Sequence, residues 1–157
     1  MDSVERHLQD AERWSSPTRE PDQITAMVVA DEVQLRALPA SIANARAYLA
    51  QARSNAADAI NYARQALDLP PEDNYYERGT AAAFLGLAYW THGNLEAACT
   101  TFAHGLATLE QGGGILSAIG GTAILAHIRV AQGRLRDAVA LYEQAIELGL
   151  IYTGGRD

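Results

Sequence analysis

The chain has 157 residues, 19 acidic against 12 basic, a formal charge of −7 at pH 7, and 48% hydrophobic but only 7% aromatic residues. That length suits one ordinary domain or a short stack of repeated units, and argues against two separate domains. The acidic balance would repel a polyanion over most of the surface, which sets it against direct nucleic-acid binding, while scarce aromatics with abundant alanine favour an all-α protein over a sheet. Cys99 is the only cysteine, so no internal disulfide is possible. Its place in an apolar helical run reads as a buried small hydrophobe and fits a reducing cytosol. Residues 1–14 are charged throughout and lack the apolar core of a signal peptide. The longest uncharged run, Gln111 to His127, is too short and too rich in glycine to span a membrane.

In chain order, Asp2 to Trp14 is expected as an amphipathic helix with Val4, Leu8 and Ala11 on one face. The run from Ser15 to Asp22 holds Pro17 and Pro21 and is expected as an exposed connection, after which Gln23 to Leu38 permits a further helix. Residues 1–38 are thus an N-terminal region. Pro39 suits the first turn of a helix continuing to Ala52, Ser54-Asn55 makes a turn, and the following helix carries Ala59, Ala63, Ala66 and Leu67 until Pro70-Pro71 stops it.

A second pair runs from Tyr75 to Trp90 and from Asn94 to about Gln111. Its stripes are Ala82, Leu85, Gly86 and Tyr89, then Leu95, Ala98, Phe102 and Leu106. Gly86 permits close approach of the second helix, Gly93 can take the left-handed turn, and Asn94 is a natural N-cap. Gly112, Gly113 and Gly114 close this pair. The third pair covers Ile115 to Ala131 and Arg134 to Leu148, with Thr122, Leu125 and Ala126, then Ala138, Tyr142, Ala145 and Ile146, as its stripe. Residues 149–157 remain as a C-terminal tail.

The pairs repeat. Ala59, Ala98 and Ala138 align at separations of 39 and 40 residues, and the same offsets superimpose Ser54, Gly93 and Gly133, then Ala63, Phe102 and Tyr142, then Leu67, Leu106 and Ile146. A helix–turn–helix period in this range signals a solenoid, in which each unit buries its face on its neighbours. Three units are therefore expected, over residues 39–71, 75–111 and 115–148.

Leu85, Gly86, Tyr89, Gly93, Ala98 and Phe102 fall on the signature positions of a tetratricopeptide repeat, and Pro71 falls on its terminal proline. The period exceeds the roughly 34 residues of the common type. Together with the segments VERHLQDAERW, LPASIANARA, YARQALDL, ERGTAAAFLGLAYWTHGNLEAA and IRVAQGRLRDAVALYEQAI, it makes the chain resemble the repeat region of the MalT-like, ATP-dependent LuxR-type transcription regulators. That resemblance implies a right-handed superhelix of about three helix pairs plus N-terminal helices, cytoplasmic, and a fragment without the ATPase and helix-turn-helix modules of such regulators. It implies a non-enzymatic sensor or oligomerisation region; the alternative is a free-standing adaptor binding a protein or peptide partner in its concave groove. Arg46 and Ala47 depart from the pattern, standing where the middle unit has Leu85 and Gly86. A solenoid cut at both ends would expose apolar faces, which implies self-association or a partner.

No catalytic set converges. The glycine-rich GGGILSAIGGT ends at Thr122, but a phosphate loop needs lysine where Gly121 stands and glycine where Ile115 stands, so helix ends and close packing explain it better. His7, His92, His104 and His127 lack a second His or Cys at ligand spacing, and Ser117 is in no nucleophile elbow, so neither a metal nor a cofactor is expected. The candidate site is geometric: in a solenoid the first helices line the concave face, which puts Asn44, Tyr48 and Gln51, then Ala83, Leu87 and Trp90, then Ala123, His127 and Val130 on a groove. Tyr48, Trp90 and His127 are candidates to grip a peptide or small inducer. Trp90 has an equal claim to pack against the neighbouring unit.

Overall fold

Four turns of one kind set the frame. In the computed structural model, which describes residues 2–15 and 31–154, Ser54, Gly93, Gly113 and Gly133 take left-handed backbone with φ of 58°, 85°, 79° and 75°. At each, that residue and the next donate their N–H groups back to the helix they end: Gly93 to the Trp90 carbonyl and Asn94 to the Tyr89 carbonyl, and likewise at Ser54, Gly113 and Gly133. The carbonyls orphaned at each helix end are thereby satisfied. Asn55 and Asn94 then cap the next helix, their side chains accepting from the N–H of Asp58 and Ala97. The turn residues aligned by the sequence period thus share one backbone conformation, although Ser54 lacks glycine's freedom and carries the associated strain.

The described residues form seven helices: α1 (Asp2–Ser15), α2 (Glu32–Ala52), α3 (Ala56–Asp68), α4 (Tyr75–Thr91), α5 (Leu95–Gln111), α6 (Ile115–Ala131) and α7 (Leu135–Gly154). No strand occurs among them. The hairpins α2–α3, α4–α5 and α6–α7 stack in order, each second helix packing on the first helix of the next hairpin, and α1 lies on α2.

Small residues set the spacing of this stack. The first seam is layered in alanine: Ala43, Ala66 and Ala81, then Ala47, Ala63 and Leu85, then Ala50, Ala59 and Ala88. Within the middle hairpin, a Cβ on Gly86 would lie 2.7 Å from the Phe102 Cβ and 2.8 Å from its backbone nitrogen, so α4 and α5 meet almost backbone to backbone. The second seam is filled by larger side chains, with Cys99, Phe102, Leu106 and Ile128 at its centre. Leu106 occupies the space a Cβ on Gly121 would need, only 2.0 Å from its Cδ2. The glycines of the third hairpin therefore serve a helix end, at Gly113, and close packing, at Gly121.

Two boundaries differ from the sequence reading. α2 does not begin at Pro39; Asp31 accepts the Gln34 N–H at 3.0 Å and starts the helix earlier, and Pro39 lies inside it. An internal proline gives up a helical hydrogen bond, at about 3 kcal/mol, and the buried Ala40, Ile42 and Ala43 that follow hold the segment in place. The connection expected over Ser15 to Asp22 and the start of the helix expected from Gln23 fall largely on residues 16–30, outside the described residues. At the other end α7 continues through Gly154, past the expected Leu148. Ile146, assigned to the packed stripe of the third pair, is 64% exposed, because no element of the described chain lies over that face of α7.

Candidate functional site

Where the leading helices of the first two hairpins run side by side, Tyr48 of α2 is 59% exposed. Its ring lies 6.0 Å from that of Phe84 on α4, the planes inclined by 50°. One turn further, the Gln51 side-chain amide donates to the Leu87 carbonyl at 3.4 Å, and the Thr91 hydroxyl donates to the Gln51 side-chain oxygen at 3.5 Å. Tyr48, Gln51 and Leu87 are therefore drawn together across α2 and α4, with Phe84 and Thr91 as neighbours that the helical offsets alone did not single out. An apolar shelf edged by an amide and a hydroxyl results. It can hold a ring or aliphatic side chain and supply one or two hydrogen bonds.

Trp90 serves both surfaces. It is half-buried and packs with Leu87 against the Cys99, Phe102, Leu106 and Ile128 cluster, leaving the rest of the indole toward solvent. Burial pushes the Cys99 thiol above its ordinary 9.0, as suits a packing residue. His127 and Val130 lie on the third hairpin, both exposed, and His127 meets the Tyr142 ring edge-on at 5.6 Å.

Asn44 does not line the groove. It is 5% exposed, and its side-chain amide donates to the Glu77 carboxylate at 2.7 Å and to the Glu77 carbonyl at 3.3 Å. Ser41 donates to the other carboxylate oxygen. Glu77 sits in the first turn of α4, where its own N–H donates to Asn74, so its side chain reaches sideways into the α2–α4 crossing. A buried carboxylate requires such donors, and Asn44 is committed to supplying one. The Asn-x-x-Glu spacing signals the Asn74 cap, but the Glu77 side chain does not fold back onto it and crosses to α2 instead.

A second cluster explains the departure at Arg46. Its side chain is 16% exposed and reaches Glu5 of α1 at 3.0 Å and Glu12 at 2.9 Å, while its guanidinium lies 5.8 Å from the centre of the Tyr62 ring. Arg53 adds a 3.4 Å contact to Glu5. The hydrogen bond from Arg46, then the charges of Arg46 and Arg53, hold the Glu5 carboxyl below its ordinary 4.5. Hydrogen bonding to Glu12 and Glu5 drives the Arg46 guanidinium further up, against the opposing effect of burial. A cavity of about 330 Å³ remains beside these groups, lined among others by Glu5, Arg46, Arg53, Asp58 and Tyr62.

Stacked helical hairpins with close small-residue packing between them define a tetratricopeptide-type helical-repeat protein. No helix among the described residues is long and apolar enough to cross a membrane. Residues 40–150 match the family model for the MalT-like TPR region, and the chain belongs to that family. Neither a curated protein nor a solved structure matches it.

Proposed function

We propose that this chain is a non-enzymatic sensor or oligomerisation module of a MalT-like LuxR-type transcription regulator in the cytoplasm, taking a peptide or small inducer in the groove along α2, α4 and α6. The observation that carries this reading is the family match over residues 40–150. It is supported by the exposed Tyr48 beside Phe84 and the half-buried Trp90, which offer apolar contact, with Gln51 and Thr91 at hydrogen-bonding reach of the same strip. His127 and Val130 extend that strip onto the third hairpin, while Asn44 has no part in it.

The test is retention of cellular components by the purified chain, compared with the Tyr48→Ala/Trp90→Ala variant. A species held by the native chain should be lost at least tenfold by the variant, with helicity by circular dichroism preserved. Equal retention by both overturns the groove reading. Because Trp90 also packs against the core, Tyr48→Ala alone provides the variant whose exposed site leaves the fold intact.

A further inference from the structure

The leading helices keep their charges off the groove. Together α2, α4 and α6 carry six Asp, Glu, Lys or Arg side chains: Glu32, Arg36, Arg46, Glu77, Arg78 and Arg129. Each is engaged elsewhere. Glu32 and Arg36 lie 3.7 Å apart at the start of α2, Arg46 is held by α1, and Glu77 is enclosed in the α2–α4 crossing by Ser41 and Asn44. Arg78 donates to the Leu67 carbonyl of α3 at 3.4 Å. Arg129 donates at 3.0 Å to the Gln132 side chain, itself turned to the Leu95 carbonyl of α5. Acidic side chains stand exposed on the second helices instead, among them Asp58, Asp68, Glu110, Glu143 and Glu147.

What remains on the groove is apolar or neutral over a long strip. On α4, Tyr76, Thr80, Ala83, Leu87 and Trp90 recur at intervals of four and three residues, one helical face about 21 Å long. The offset of 40 residues that equates Leu87 with His127 and Trp90 with Val130 also equates Tyr76 with Leu116 of α6. Tyr76 and Leu116 are 60% and 64% exposed, so the strip extends from the Tyr48–Leu87 level toward the start of both helices.

We propose that this strip docks a polypeptide segment of a partner protein, one that presents aromatic and aliphatic side chains and no charge at the contact. The inference rests on the groove reading of the proposed function and narrows its ligand. Length and exposure select a polypeptide over a small inducer. A small-molecule site encloses most of its ligand's surface. Tyr48, Tyr76 and Leu116, each about three-fifths exposed, make a shallow strip that only a chain of comparable length can cover. Charge selects the neutral face: a charged side chain laid against the strip would lose water and meet no opposite charge. Gln51 and Thr91 offer hydrogen bonds to neutral polar groups alone. The acidic outer surface draws basic peptides by long-range attraction, so the composition and salt response of a ligand separate groove docking from that attraction.

Selection of a random peptide library on the full chain tests this, at about pH 8, where an ordinary imidazole is neutral. Recovered sequences should be rich in aromatic and aliphatic residues and poor in Asp, Glu, Lys and Arg. A synthetic peptide of the recovered consensus should bind with a dissociation constant that changes less than twofold between about 0.05 and 0.5 M salt. Tyr76→Glu and Leu116→Glu, at exposed positions, should each weaken it at least tenfold with helicity preserved. Leu116→Met, and Glu110→Lys on the outer side of α5, should leave it unchanged. Recovery of charged peptides whose binding falls steeply with salt yet is lost in Tyr48→Ala overturns the neutral ligand and leaves the groove reading standing. Binding indifferent to both glutamate substitutions overturns the strip. Recovery of no peptide that depends on Tyr48 overturns the polypeptide occupant. Equal retention of cellular components by the native chain and the Tyr48→Ala/Trp90→Ala variant is the separate result that overturns the groove itself.

Discussion

At the front of the stack α1 lies across α2 and grips Arg46 through Glu5 and Glu12, leaving its side chain 16% exposed. At the rear α7 turns Val139 and Ile146 outward at 55% and 64% exposure. These are the two end faces of one repeating structure, and they are treated by opposite chemistry. The front is closed by charge within the chain, and such a closure depends on ionic strength and on the ionisation of carboxylates. The rear is apolar and lies uncovered among the described residues. Between them, an alanine-layered first seam and a second seam of larger side chains seated against Gly121 join the hairpins, so the ends differ while the middle repeats.

The seams should break most severely. Leu85 occupies in the middle unit the position Arg46 has in the first, but it is 6% exposed among alanines and has no acidic partner. Leu85→Asp should cost more than about 3 kcal/mol and abolish cooperative thermal unfolding. An unchanged melting temperature would remove the stripe from the core. Gly86→Ala should cost about 1–3 kcal/mol by forcing α4 away from α5, read as a lower urea midpoint, because the new methyl meets the Phe102 backbone as well as its side chain.

The front closure should yield separately from the seams. Arg46→Leu restores the residue type of the middle unit yet removes the guanidinium that ties Glu5 and Glu12 of α1 to α2. Hydrogen exchange in residues 2–15 should accelerate at least tenfold, while the protection of α4 and α5 stays unchanged. Loss of protection throughout would mean that α1 is integral to the stack and not a cover.

Acid should have the smallest effect, and its sign follows from Glu5. Its folded carboxyl titrates below the ordinary 4.5, so its contribution is present above that value and lost as pH falls further. The same exchange signal in α1 should therefore rise below about pH 4.5 and with added salt.

Much of this was legible because it is local. The left-handed turns at Gly93 and Gly133, the Asn94 cap and the tight passage at Gly86 are set by neighbours within a turn or two, and the period carried them from one unit to the next. What escaped the sequence depends on elements distant in the chain. Helical offsets placed Asn44 toward the groove, but its orientation is set by the buried Glu77 of α4. Arg46 stood out as a departure, and its reason lies in two carboxylates on α1. Ile146 shares the spacing and apolar character of Leu106; periodicity reveals which side chains share a face and carries no information on whether anything lies over it. Pro39 misled for a related reason, since an Asp31 cap further upstream started the helix.

The contrast between covered and bare faces can be measured at one pair of equivalent positions. Urea unfolding of the dilute chain carrying either Leu106→Asp or Ile146→Asp places the same charge on the same stripe one repeat apart, at residues 6% and 64% exposed. The structure predicts a loss above about 3 kcal/mol at Leu106 and a change within about 0.5 kcal/mol at Ile146. Equal losses at the two sites would contradict it, showing the rear face to be as deeply packed as the seam it repeats.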